Sequence, residues 1–303
     1  MPSGSAVLPV GLMFGLGAAL MWGLTDVNAS LAGRRLGSLR VLALSQLVGV
    51  AILTTLAVLL GASLPRDPHI AAASIAVGLV GSAAYLSFFT ALRIGPLSVV
   101  SPITAAYGGL TVVLAVVFTG ESLTSAQAAG AALATAGVVL AGLVFDHGWR
   151  NPRIVGRGVA FAIVALVMFA LMTVGSAGPI RAAGWLPVIL LSRITQISIA
   201  AALLAIGRGL RPRWMAPLFS APEPVVRRAY GIAALAGLLD AIGLVSFSIG
   251  LSRAETWLVG LASSFGPAVA VVVAVALLGE RLRPTQWIGL AGIAAGLVAV
   301  AVG

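Results

Sequence analysis

The chain has 303 residues, 60% of them hydrophobic and 9% charged, with a mean hydropathy of +1.12. This is far more apolar surface than a soluble core of that length could hide, so lipid is its solvent. A formal charge of +10 would suggest nucleic acid in a soluble protein, but nearly every arginine lies in a short loop between apolar runs, where topogenic and headgroup-facing roles account for it and no nucleic-acid partner is expected. With neither lysine nor cysteine, a disulfide, a zinc finger, a thiolate nucleophile and a Schiff-base lysine are excluded.

About twenty residues are needed to cross the hydrocarbon core. The apolar stretch from about Leu8 reaches that length and has no basic leader, so it is read as a first helix and not as a cleaved signal. Segments near 8–31, 40–60, 71–92, 97–118 and 126–145 make five candidate spans, and those near 156–177, 186–207, 229–251, 256–278 and 284–302 make five more. The polar stretch from Asp146 to Arg153 separates the two sets and is too short for a soluble domain. The longest loop, Arg208 to Arg228, carries Trp214 and is expected to lie at headgroup level. Most arginines, among them Arg34, Arg93, Arg157, Arg228 and Arg283, fall on one face, against Arg66, Arg181 and Arg253 on the other. The positive-inside rule places the richer face in the cytoplasm and, with ten helices, both termini outside.

Residues 78–140 and 237–299 overlay without a gap. Both copies carry an apolar run, a Gly-Glu turn and a spaced leucine, glutamine and glycine: Gly120-Glu121, Leu123, Gln127 and Gly130 in the first, Gly279-Glu280, Leu282, Gln286 and Gly289 in the second. Roughly a quarter of the aligned positions are identical, the mark of an internal duplication. Upstream the repeat continues at another offset, with Phe14, Ala18, Met21, Leu24 and Val27 on Phe161, Ala165, Met168, Leu171 and Val174, and Val41, Leu44 and Ser45 on Val188, Leu191 and Ser192. Five spans per copy is odd, so the second copy enters the membrane from the opposite side. The expected fold is an all-α integral membrane protein of ten transmembrane helices in two inverted five-helix repeats, residues 1–150 and 151–303, and such a repeated unit points first to a transporter.

Across essentially the whole chain these residues resemble the EamA-type transporters of the drug/metabolite transporter (DMT) superfamily. The resembling elements are Trp22-Gly23 midway along the first helix, Ala91-Leu92 ending the third, the two Gly-Glu turns, and Pro267 thirteen residues before Glu280. The resemblance implies a central cavity for a small metabolite, export across a cell membrane (the bacterial inner membrane), and cytoplasmic termini, the reverse of the arginine count. This chain departs from the family in having Gln46 where an arginine is usual in the second helix of a repeat, with Arg193 in the second copy. Gly108 stands where Pro267 lies in the other half, so the halves are expected to bend differently.

A charge near the bilayer centre needs a partner or a watery cavity, and three ionisable residues qualify: Asp240, Arg193 and Asp26. Asp240 reads as a proton- or cation-binding carboxylate, or as half of a structural pair with Arg193. Arg193 could clamp a carboxylate or phosphate in bidentate fashion, or neutralise Asp240 or Asp26. Asp26, eight residues before Arg34, is shallow enough to be a gate or headgroup contact. Gln46, Tyr85, Tyr107 and Ser263 have the polarity for substrate contact. Trp22 lies away from the headgroup belt with an indole N–H that needs a partner, whereas Trp257 reads as a belt residue. Glu121 and Glu280 invite a catalytic reading, but each sits in a tight turn before a helix, where a carboxylate accepts orphan amide hydrogens, and the structural reading is preferred. The small-residue faces at Gly130–Ala134 and Gly292–Gly296 serve either packing in the bundle or a homodimer.

The leading function is a secondary active transporter for a small amino-acid-like or amphipathic compound, working by alternating access with a proton as a candidate coupling ion. No Walker loop is present, and no enzyme, cofactor or metal is expected. The alternatives are a multidrug or cation exporter of broad specificity and, remotely, an intramembrane aspartyl protease with Asp26 and Asp240 as its dyad.

Overall fold

The computed structural model describes residues 4–95, 97–142, 152–209, 218, 224, 226–266, 268–269 and 284–302. Among them the helices are α1 (Gly4–Leu36), α2 (Ser38–Leu59), α3 (Pro68–Ile94), α4 (Leu97–Ala105), α5 (Tyr107–Thr119), α6 (Ser125–Gly142), α7 (Pro152–Ala183), α8 (Trp185–Gly209), α9 (Arg227–Arg253), α10 (Thr256–Ser263) and α11 (Pro284–Val302). Each predicted span is helical where it is described, apart from turns at Leu60, Ala106, Ser264 and Phe265. Among the described residues seven spans are long and apolar enough to cross a membrane, with α4 and α5 together making one of them, and α6 and α11 are shorter apolar helices. Trp214, Pro267 and Glu280 lie outside the described residues.

Several helices outrun their apolar segments because basic residues are tolerated in a last turn, where they face the negative end of the helix. Arg34 and Arg35 end α1 in this way, as Arg181 ends α7. The connection to the next helix is then a single glycine in each repeat, Gly37 at φ 81° and Gly184 at φ 85°. That backbone is open to glycine and costly for other residues. Asp67 caps α3 by accepting from the His69 and Ile70 amides at 2.8 and 3.3 Å, ahead of Pro68 at the first helical position. At α6 the Thr124 hydroxyl accepts from the Gln127 amide at 3.1 Å while the Gln127 side chain accepts from the Thr124 amide at 3.0 Å. This is a reciprocal capping box.

Helix contacts come in pairs related by a pseudo-two-fold exchange of the repeats. α1 packs on α9 as α7 packs on α3, and α2 on α9 as α8 on α3, while α6 meets α11 and α2 meets α8 across the axis. Lipid tails are as apolar as the side chains they would replace, so close backbone approach carries the association. A Cβ on Gly78 would lie 2.7 Å from the Ser192 carbonyl oxygen, and one on Gly237 2.8 Å from that of Ser45. These two crossings are the same contact made once by each repeat. The small-residue faces of α6 and α11 are likewise spent inside the bundle, since a Cβ on Gly296 would lie 2.6 Å from the Gly130 carbonyl oxygen.

The fourth and ninth spans are interrupted at matching depth. Between α4 and α5, the Ala106 amide reaches back to Pro102 and Ile103; after α10, the Ser264 and Phe265 amides turn back to Leu261 and Ala262. The overlay of the repeats puts Ala106 on Phe265. The halves therefore share a break, and Pro267, on which the expectation of different bends rests, lies outside the described residues. In the first half Pro102 inside α4 removes a helical donor one turn earlier.

Candidate functional site

The breaks in α4–α5 and α10 sit beside a cavity with roughly 650 Å³ of empty space, mouth included, between the two repeats. Six aromatic rings line it: Trp22, Tyr85, Phe88, Phe89, Tyr107 and Phe169. Phe169 is the hub, edge-on to Tyr85 at 5.2 Å and to Phe88 at 5.8 Å, with Tyr107 at 6.0 Å, separations typical of favourable aromatic pairs. Polar groups enter from α1 (Asp26), α4 (Ser101, Thr104), α9 (Asp240) and α10 (Ser263). Tyr107 and Ser263 share a hydrogen bond of 2.7 Å across the repeat boundary.

Asp240 and Arg193 form an ion pair at 2.7 Å, each side chain 2% exposed. The Tyr85 hydroxyl donates to Asp240 Oδ1 at 2.8 Å and accepts from Arg193 Nη2 at 3.1 Å. Arg193 Nη1 donates to Gln46 Oε1 and to Gln196 Oε1, the latter at 3.2 Å. A buried charge survives in a membrane when its partners satisfy it this fully. The guanidinium thus has a carboxylate, a phenol and two amides around it, and it lines a second, smaller cavity with Gln196, Ser192, Ser176 and Ser248. Tyr85 and Met172 border both cavities.

A third polar cluster lies at the α5 end, where the helices meet their connecting turns, with Glu121 and Glu255 in those turns. Glu121 accepts from the Thr256 and Trp257 amides, both at 3.0 Å, and from Arg181 at 3.1 Å, while Arg181 also reaches the Ala254 carbonyl and the Thr256 hydroxyl. Burial pushes the Glu121 carboxyl up, but bonding from Thr256 and Trp257 and the Arg181 guanidinium together outweigh it and hold it below its ordinary value. Burial, and then the neighbouring Glu121, push Glu255 up.

The sequence profile of the EamA-like transporter family matches twice, over residues 9–143 and 156–302. The chain belongs to the EamA-like transporter family. A solved crystal structure is similar over 96% of both chains, with a TM-score of 0.77 and 20% sequence identity, a likeness of fold. No curated protein matches. As a member of this family the chain is a multi-pass integral membrane transporter and not an enzyme. The two carboxylates of the proposed protease dyad are engaged apart from each other, Asp240 with Arg193 and Tyr85, and Asp26 with the Ser101 hydroxyl at 3.4 Å.

In this EamA-like chain the eight residues singled out for substrate or ion contact converge. Asp240, Arg193, Tyr85 and Gln46 form the buried cluster, and Asp26, Trp22, Tyr107 and Ser263 share the large cavity with Asp240 and Tyr85. Arg193 and Gln46 stand behind the cavity wall, not on it. Two expectations need correction. Trp257 is 2% exposed and packed among α10 neighbours, not in the headgroup belt, because α10 is short and surrounded by other helices. Glu121 does fix a turn, but the amides it caps belong to α10 of the other repeat and not to the helix that follows it. The Trp22 indole N–H is buried without a hydrogen-bond partner, close to the α9 backbone, where a Cβ on Gly243 would lie 2.7 Å from Nε1.

Sequence reasoning missed Phe88, Phe89, Phe169 and Met172. A signal existed for Phe169, because the offset that lays Met21 on Met168 lays Trp22 on Phe169. The anchoring role of Arg181 had no such signal, since nothing in spacing ties it to Glu121.

Proposed function

We propose that this protein is a secondary active transporter that carries a small amphipathic metabolite out of the cell by alternating access across the cell membrane, with a proton as the coupling ion. The observation that carries this reading is a pathway interrupted midway. The larger cavity and the smaller one meet at Tyr85 and Met172, with the Arg193–Asp240 pair beside that septum. Helices from both repeats form each wall, so rocking one repeat against the other would move the septum from one side of a bound molecule to the other. Asp240 contacts the larger cavity and Arg193 the smaller, so breaking and remaking their pair is a natural coupling step. An exporter of broad specificity is a second reading, favoured by the six aromatic rings that line the cavity.

The test is flux in proteoliposomes with pooled amino acids, organic cations, nucleosides and sugars, with and without an imposed pH gradient. Gradient-stimulated, protein-dependent flux is expected. Flux that needs substrate preloaded on the far side and ignores the gradient would replace proton coupling by exchange, and silence across the panel would count against the transporter reading itself.

A further inference from the structure

Asp26 differs from the other charges of the cavity region in having no counter-ion. Asp240 is neutralised by Arg193, whereas among the described residues no cation pairs with Asp26, and its one hydrogen bond is the long 3.4 Å contact from Ser101. The cavity therefore has one carboxyl group with no cation beside it among the described residues. An unpaired charge within an apolar wall is costly unless something comes to meet it.

What could meet it is restricted by the rest of the site. An anionic substrate would be repelled. A zwitterion needs a cation for its carboxylate, and the Arg193 fork is committed to Asp240, Tyr85, Gln46 and Gln196 on the far side of the wall. A sugar or nucleoside needs many free hydrogen-bond partners, and several hydroxyls of this wall already donate within the protein, Thr25 to the Met21 carbonyl, Ser263 to Gly260, Ser264 to Leu261 and Tyr85 to Asp240. A positively charged head on an apolar body suits every element. Asp26 supplies the opposite charge, and the rings of Trp22, Phe88, Tyr107 and Phe169 supply aromatic surface that attracts a cation and buries an apolar body. Besides the Trp22 indole N–H, a second polar group of the wall has no partner within the protein. The Thr104 hydroxyl lines the cavity, the residue is 5% exposed, and its oxygen has no hydrogen-bond partner. It lies three residues from Ser101 on the same helix, so the two hydroxyls share a face.

We propose that the cavity binds a monovalent organic cation with an aromatic or branched apolar body, with Asp26 as the counter-ion of its ammonium head and Thr104 as a second contact. This rests on the transporter reading and names its substrate class. It also assigns different roles to the two buried carboxylates: Asp26 faces the ligand, while Asp240 belongs to the internal pair.

Three probes with one ring and different heads separate the alternatives: phenethylamine (cation), phenylalanine (zwitterion) and phenylacetate (anion). Equilibrium binding to the purified full chain in nanodiscs is expected for phenethylamine, with phenylalanine and phenylacetate failing to compete. Asp26→Asn is expected to weaken phenethylamine by about thirtyfold or more, while Asp26→Glu, which keeps the charge, retains binding within several-fold. Thr104→Val is expected to weaken it less. Should Asp26→Asn fold poorly, Asp26→Glu together with a thermal shift of the unmutated protein by phenethylamine carries the test. Equal binding of phenylalanine or phenylacetate, no binding of phenethylamine, or an Asp26→Asn variant that folds and binds unchanged would each overturn the proposal. The flux panel keeps the two ideas apart: protein-dependent flux of a zwitterion or sugar without phenethylamine binding sinks the cation site and leaves the transporter standing.

Discussion

The two repeats agree in backbone and disagree in charge. Gly37 and Gly184 make the same one-residue turn, Gly78 and Gly237 the same close crossing, and the breaks at Ala106 and Phe265 fall on one another. At the site the matching positions diverge: Asp26 opposes Thr173, Gln46 opposes Arg193, Gly81 opposes Asp240 and Tyr85 opposes Leu244. A symmetric backbone gives each half the same way to rock, which alternating access requires. Unequal side chains give the shared centre a single set of polar partners. The duplication preserves the mechanics while the chemistry is free to specialise.

The largest expected effect comes from breaking the asymmetric pair. Arg193→Leu leaves Asp240 buried without its cation and is expected to cost about 3–5 kcal/mol, read as a loss of thermal stability in nanodiscs. The double change Arg193→Leu with Asp240→Leu should recover most of that loss, because it removes both charges. If single and double variants melt alike, the pair does not hold the two elements as described.

Breaking the symmetric features should give matched, smaller losses. Gly78→Ala and Gly237→Ala each push a methyl to within 2.7–2.8 Å of a carbonyl oxygen on the facing helix, at about 1–3 kcal/mol each. The two are expected to agree within error in the same melt. Gly37→Ala and Gly184→Ala force a side chain into positive φ and should cost about 1–2 kcal/mol each. A large inequality within either pair would show that the repeats differ in packing as well as in charge.

This division also explains what could be read from the sequence. Spans, repeat offsets and the small-residue faces of α6 and α11 leave periodic traces, because each depends on residue type at fixed spacing, although the spacing left open whether those faces pack in the bundle or between two copies. Asp240, Arg193, Asp26 and Tyr85 could be selected because polar groups are conspicuous against a membrane background. What could not be read was who pairs with whom. Arg193 was equally able to serve a substrate carboxylate, Asp240 or Asp26, and 47 residues of chain separate it from Asp240, so packing of α8 against α9 had to decide. Phe88 and Phe89 were hidden for the opposite reason: an aromatic ring in a membrane helix is ordinary, and only its inward face makes it part of a cavity.

Glu121 belongs to one repeat and caps a helix of the other, so it tests the bond between the halves. Glu121→Gln keeps the shape but weakens the charge-assisted bonds to the Thr256 and Trp257 amides and the pairing with Arg181, an expected loss of about 1 kcal/mol at neutral pH. The sign of its pH dependence follows from the direction of its shift. The folded carboxyl lies below its ordinary value of 4.5, so the stability it contributes is complete above that value. It is then lost as pH falls through the lower folded value, where proton uptake favours the unfolded chain. Glu255 opposes this slightly, since its raised carboxyl makes ionisation unfavourable in the folded protein. Melting the original protein and Glu121→Gln side by side from neutral pH to well below 4.5 should therefore show two curves that start apart and converge on acidification. Curves that remain parallel would mean that the carboxylate charge contributes nothing to holding α10 against the first repeat.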